Sequence, residues 1–416
     1  MPVRAKQKNS LPANGSSNRT VLAVLLSANL LKYLDRQLLY PLLPLIKIDL
    51  ELSDAQLGAL ATAFMGIYTC AAPIAGWLAD QGRRPRWIGG SVAMWSAATA
   101  LTGVVRGYVP LFAARGAVGI GQSAFSSIAP AFVSERWPKE RRGSVLAWFS
   151  LAIPVGSALG YILGGWGGHH FGWRTTLLAA GLLGIAPALW SLRLKDFGRD
   201  ITAQKRPRLS DYIDLLRVRS YLAATLAMTA MTFALGGLAV WMPTYFHRYF
   251  GLNVVQAGTL FGGLTVGAGL LGSLAGGWLS DRLVKVTPRA YFLISGVGLL
   301  LAMPAAAIAL ALPTVTAASV AFFIAEALAF LNMGPLNAVF TWVIAAPRRS
   351  MAFAANIFII HSLGDVFSPW LIGLASDRWG LRSGLFGAIL FLGIAGCICF
   401  WGARHLEEDS AVVKEA

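Results

Sequence analysis

At 416 residues, with 56% hydrophobic and only 13% charged side chains and a mean hydropathy of +0.61, the chain is too apolar for a soluble domain, which carries about 25% charged residues. Its net charge of +16 and pI near 10.2 would suit a nucleic-acid partner, but the basic residues are scattered over short loops between apolar stretches. Membrane topology explains that distribution and a nucleic-acid-binding face does not. Cys70, Cys397 and Cys399 fall in apolar stretches and offer neither a disulfide framework nor a metal spacing, so no cofactor and no metal are expected.

In chain order, residues 1–19 are polar and basic and read as a disordered tail. Twelve apolar stretches follow, each long enough for a hydrocarbon core about 30 Å thick: 20–45, 54–79, 86–106, 110–134, 142–165, 171–193, 218–247, 254–280, 289–311, 315–345, 348–374 and 383–403. We number them spans 1 to 12. The polar connection 194–217 is the longest between spans and divides the chain into halves, 20–193 and 218–403, with a second tail over 404–416. Lys47, Arg106, Arg174, Arg248, Arg378 and Arg382 fall opposite the N-terminus, and Lys32, Arg36 and Arg115 lie within spans. Every other Lys and Arg sits in a tail, in an alternate loop on the N-terminal side or at a span edge facing one. The positive-inside rule therefore puts both termini in the cytoplasm.

Lys32, Asp35 and Arg36 interrupt span 1. A charge at the bilayer centre costs about 2.5–3.5 kcal/mol, so such residues face a bundle interior or a wet cavity, and helical spacing puts these three on one face. Gly76-Trp77-Leu78-Ala79-Asp80 closes span 2 and Gly277-Trp278-Leu279-Ser280-Asp281 closes span 8. An internal repeat at matching points of two halves is a feature of transporters built from two six-helix units. Span 4 carries Arg115, Gly119, Gln122 and Ser126 on one stripe. Arg115 can grip a carboxylate or phosphate through two parallel hydrogen bonds, or pair with Asp35. Gly156, Gly160 and Gly164 of span 5 are spaced for close helix packing. Trp241, Pro243 and Tyr245 in span 7 read as part of an interfacial belt. Span 10 carries Glu326 and Asn332. In span 11, His361, Asp365 and Ser368 share a face of a regular helix. No glycine-rich run ends in Lys-Ser or Lys-Thr, so ATP is not the expected fuel. No nucleophile–base pair or metal cluster points to an enzyme.

The run Gly76 to Arg84, GWLADQGRR, resembles the signature of the major facilitator superfamily between its second and third helices. That resemblance implies a cytoplasmic latch between the halves formed by Asp80 and Arg84, with Asp281 its equivalent in the repeat. Four further features resemble the Spinster family of that superfamily: Tyr33-Leu34-Asp35-Arg36, Arg115-x-x-x-Gly119-x-Gly121, Glu326 with Asn332, and His361 to Gly373, HSLGDVFSPWLIG. The resemblance covers nearly all the chain outside its tails. It implies an all-α membrane protein of twelve transmembrane helices, in two pseudo-symmetric six-helix bundles around a central cavity. It further implies a monomer in a bacterial inner membrane that transports an anionic amphiphile, such as a lysophospholipid or sphingosine phosphate, by alternating access with proton coupling. Arg115, Lys32 and Arg36 would face the anionic head, with Gln122 and Asn332 completing the substrate-binding set. Asp35, Glu326, His361 and Asp365 would carry protons or lock gates. The anion–cation symporters of small organic acids share Tyr-x-Asp-Arg and a glycine-rich span 4, but not the span 11 signature. A receptor without transport would have little use for buried charges in both halves.

Two positions depart from the Spinster pattern, which has an acid where Gln122 stands and Asn where Lys32 stands. One negative charge is lost and one positive charge gained. Gln122 does not titrate, so the His361–Asp365 pair becomes the expected seat of any proton dependence.

Overall fold

The computed structural model describes residues 18–80, 83–194, 196 and 209–415, and their regular structure is helical throughout. Eight stretches are long and apolar enough to cross a membrane by length and composition alone, and one of them, Arg141–Leu192, runs for 52 residues and holds spans 5 and 6. The helices Asn18–Leu38, Arg84–Thr102 and Tyr108–Ser134 complete the twelve crossings among the described residues. The first and last of these are diluted by the charged and polar side chains of spans 1 and 4. The chain is thus the expected all-α protein of two six-helix halves, spans 1–6 and 7–12.

Several boundaries differ from the sequence reading, each for a local reason. Span 1 ends early at Leu38, because Pro41 and Pro44 cannot continue its hydrogen bonding; a 3-10 turn, Tyr40–Leu42, leads into a short helix, Leu43–Leu50. The break expected between spans 5 and 6 comes later, at Gly172, whose φ of 77° reverses the chain. Gly164, Gly165, Gly167 and Gly168 stay helical because neighbouring atoms fill the space a side chain would need, so packing overrides the low helix propensity of glycine. The C-terminal tail carries a helix, Leu406–Glu415. Leu406 is buried, Asp409 accepts a 2.7 Å bond from the Ser220 amide, and Glu407 pairs with Arg289 at 3.0 Å. The described end of the polar connection is an amphipathic helix, Leu209–Arg217. The N-terminal tail and most of that connection lie outside the described residues, apart from Asn18 and Arg19, which open the first helix.

Within the N-terminal half, Gly156, Gly160 and Gly164 face the backbone of Leu30, Leu34 and Leu38 in turn, so spans 5 and 1 touch main chain to main chain. Trp241 and Tyr245 correct the reading of an interfacial belt. Both are fully buried. The Trp241 indole donates to Pro369 O at 2.8 Å, and the Tyr245 hydroxyl donates to Leu310 O at 2.9 Å. Their polar ends bind carbonyls of spans 11 and 9 inside the bundle rather than reaching the membrane surface.

The two halves meet at the end of the molecule away from the termini. There Gly58 of span 2 lies against the backbone of Pro369, Gly373 against that of Asp54, and Gly258 of span 8 against that of Tyr161. Thr62 donates to Val366 O at 2.6 Å and Tyr161 to Ala239 O at 2.8 Å. Towards the face that carries the termini the halves part. A cleft of about 680 Å³ opens there between Tyr68 and Pro73 of span 2, Ser127 of span 4, and Phe358 and His361 of span 11, with Tyr212 of the connection helix at its mouth.

Candidate functional site

The charges of span 1 meet the stripe of span 4 inside the N-terminal half. Lys32, 5% exposed, donates to the Ser126 hydroxyl at 2.9 Å and lies 4.2 Å from the Tyr33 ring centre. Asp35, 4% exposed, accepts 3.0 Å bonds through Oδ2 from Thr99 and from the Gln122 amide, which also reaches Lys32 O at 3.3 Å. Arg115 is fully buried, stacks 5.3 Å from the Phe64 ring centre and is an electrostatic neighbour of Asp35. Its guanidinium nitrogens and Asp35 Oδ1 have no hydrogen-bond partner among the described residues. Arg36 is half-buried over Phe64 and Tyr68, at 4.9 and 5.3 Å, and Tyr68 is a wall of the cleft. Three cations and one carboxylate therefore share the interior of this half, with Arg115 the electrostatic partner of Asp35 and Arg36 the cation next to the cleft wall.

The C-terminal half carries the opposite sign. Glu326, 6% exposed, accepts a 3.2 Å bond from Thr265 through Oε1, while Oε2 has no partner among the described residues. Span 11 is not a regular helix at its signature: His361–Asp365 forms a π turn closed by Val366 N to His361 O at 3.2 Å. Such turns insert one extra residue and recur at functional sites. It brings His361 Nδ1 to 3.0 and 3.1 Å from the two Asp365 oxygens, with His361 on the cleft wall. Ser368 is fully buried against Gly237, away from the cleft. Asn332 is also fully buried, at the break between the helices Val315–Phe330 and Met333–Val343. Its amide donates back to Ala329 O and lies 2.8 Å from Met231 Sδ, so in this conformation it braces the break instead of lining the cleft.

The Asp80 side chain lies outside the described residues, and Asp281 is exposed at the end of span 8. Arg84 is buried and bound within its own half, to Glu135 at 2.6 Å and to Asp196 at 3.4 Å, and no bond joins it to the C-terminal half among the described residues.

At the opposite end the halves are locked by a cluster the sequence reading missed. Asp54, at the first turn of span 2, has a side chain only 3% exposed. It accepts a bidentate pair from Arg248 at 2.6 and 2.7 Å, a bond from Lys47 at 2.5 Å and one from Ser376 at 2.5 Å. Asp377 of span 11 accepts from the amides of Asp54 and Ala55, both at 2.8 Å. An acid from one half thus caps a helix of the other, where the helix dipole favours negative charge. Ion pairs hold best when bidentate and shielded, and this one is both.

Comparison with known proteins places this geometry in a family context. The family model described as Major Facilitator Superfamily matches residues 25–369. Protein spinster of Drosophila melanogaster is 34% identical over 399 residues, covering 91% of this chain, which spans 65% of the fly protein's length. Protein spinster homolog 1 of Xenopus tropicalis is 34% identical over 386 residues, covering 86% of this chain and 73% of the frog protein. The crystal structure of a bacterial homologue of the human lysosomal transporter Spinster, inward-facing and unoccupied, superposes with a TM-score of 0.84 at 22% identity, covering 95% of this chain and 99% of that one.

Proposed function

From the premise that this chain belongs to the Major Facilitator Superfamily and, within it, to the Spinster family, we propose that it moves an anionic amphiphile of the lysophospholipid or sphingosine-phosphate class across a bacterial inner membrane by alternating access. One observation carries the choice of charge: Lys32, Arg36 and Arg115 outnumber the single Asp35 inside the N-terminal half, behind a cleft whose lining is largely apolar. Buried charge in a membrane protein calls for a partner, and a phosphate head with an acyl tail suits an apolar cleft with cations behind its lining. The cleft faces the end that carries the basic loops, so in this reading the protein is open to the cytoplasm and closed by the Asp54 cluster on the far side.

Titration of purified protein with lysophosphatidylglycerol and lysophosphatidylcholine of equal chain length tests the reading. Tryptophan fluorescence should report binding of the anionic lipid roughly tenfold or more tighter, the order expected for one added charge contact. Equal affinity would refute the assignment of charge.

Proton coupling, in this reading, rests on His361 and Asp365. Asp35 is held between a guanidinium and two hydrogen-bond donors, one of them the Gln122 amide. Asp365 lies at hydrogen-bond distance from an imidazole on the cleft wall, and it is an electrostatic neighbour of Tyr40. Asp365→Asn should abolish the pH dependence of transport. Gln122→Glu should add to it, because two carboxyl groups at hydrogen-bond distance bind protons as a coupled pair. Transport rates from pH 5 to 8 in both variants check this, and an unchanged profile in Asp365→Asn moves the carrier to Glu326.

A further inference from the structure

Spans 2 and 3 both pack along span 4 but scarcely touch each other. Between them lies a groove of about 1080 Å³. Ile67 and Ile74 of span 2, Met94 of span 3 and Ile120 of span 4 line it, and each is more than a third exposed. No residue is shared with the cleft between the halves: span 2 turns Tyr68, Thr69, Ala72 and Pro73 to the cleft and Ile67, Cys70, Ala71 and Ile74 to the groove. The groove runs from Gly66 to Leu78 along span 2, about 18 Å at the helical rise, against about 15 Å for the hydrocarbon of one leaflet. At its terminal-face end stand Arg83 and Arg86, both exposed and making no ion pair among the described residues, with Trp87 beside them. A tryptophan and two guanidinium groups, which outnumber the one carboxylate beside them, Asp196, stand at one end of a leaflet-long apolar trough and match a lipid whose head is anionic.

We propose that this groove is a binding site for an anionic diacyl phospholipid of the surrounding bilayer. Its acyl chain lies between spans 2 and 3, and its phosphate is held by Arg83 and Arg86. Gly90 is the opening in the span 3 wall, since a side chain built there would meet no atom within 4 Å. The site is separate from the transport cleft, so its occupancy is readable without any transport assay.

Native mass spectrometry of the full-length protein, with added phosphatidylglycerol or phosphatidylcholine, tests the assignment. Wild type should retain one phosphatidylglycerol at least tenfold more tightly than phosphatidylcholine. Arg83→Gln with Arg86→Gln should erase that preference, because each cation near an anionic head supplies about a several-fold gain. Gly90→Leu should fill the trough and lose both lipids, while improving helix propensity. Both substitutions are at exposed or open positions, and size-exclusion elution should match wild type. Undiminished phosphatidylglycerol retention in both variants would overturn the proposal. So would the absence of headgroup preference in wild type, or displacement of the bound lipid by stoichiometric lysophosphatidylglycerol, which would make the groove a second substrate site.

Discussion

Asp54→Asn should release the far end of the molecule and shift the conformational population by about a hundredfold or more. The substitution keeps the shape of the side chain but removes the charge that Arg248, Lys47 and Ser376 converge on. Breaking a buried ion pair by removing one partner costs about 3–5 kcal/mol, and each 1.4 kcal/mol is tenfold in an equilibrium. The bonds exist only when the halves meet at that end, so the loss falls on this conformation alone. The partners should rank by shielding. Arg248→Gln, with a side chain 27% exposed, should cost more than Lys47→Gln at 35%, since Lys47 contributes a single bond that water screens. Spin labels at Glu51 and Ser383, in a background without the three native cysteines, should report the widening. An unchanged distance distribution in Asp54→Asn would show that the cluster locks nothing.

Arg115→Ala should lose both stability and anion binding. The side chain is fully buried, so its removal leaves Asp35 without its nearest cation and opens a void against Phe64. An uncompensated buried charge costs about 3–5 kcal/mol, a large share of the stability of a marginally stable fold. Asp35→Asn added to Arg115→Ala should restore much of the thermal stability, because the two groups are coupled. It should not restore binding, because the anion contact stays absent. Strictly additive losses in the double variant would mean that the two side chains do not form a pair.

What the sequence disclosed, and what it withheld, follows from the range of the interactions. Twelve apolar runs and the repeat ending in Asp80 and Asp281 are local patterns, and they were legible. So were the glycines of span 5, whose spacing alone announces a packing face. That Lys32, Asp35 and Arg36 share one face of span 1, and Arg115, Gln122 and Ser126 one stripe of span 4, followed from helical periodicity; that Lys32 meets Ser126 and Asp35 meets Gln122 is visible only in the fold. Asp54 was invisible as a gate because Arg248 is 194 residues away and Ser376 is 322. The π turn at His361 was also hidden, since local sequence implies a regular helix there and the irregularity appears only where span 11 packs on Gly236 and Thr229 of span 7. Trp241 and Tyr245 were misread because an aromatic near a span end suits the membrane interface equally well, until a buried carbonyl claims its polar atom.

Transport into proteoliposomes tests the central claim most directly. Vesicles containing the purified protein should take up labelled short-chain lysophosphatidylglycerol roughly tenfold faster than lysophosphatidylcholine, in line with one desolvated charge contact. Vesicles carrying Asp54→Asn should take up neither above the protein-free rate. Equal uptake of the two lipids, or uptake of both at the protein-free rate by wild type, would contradict the account.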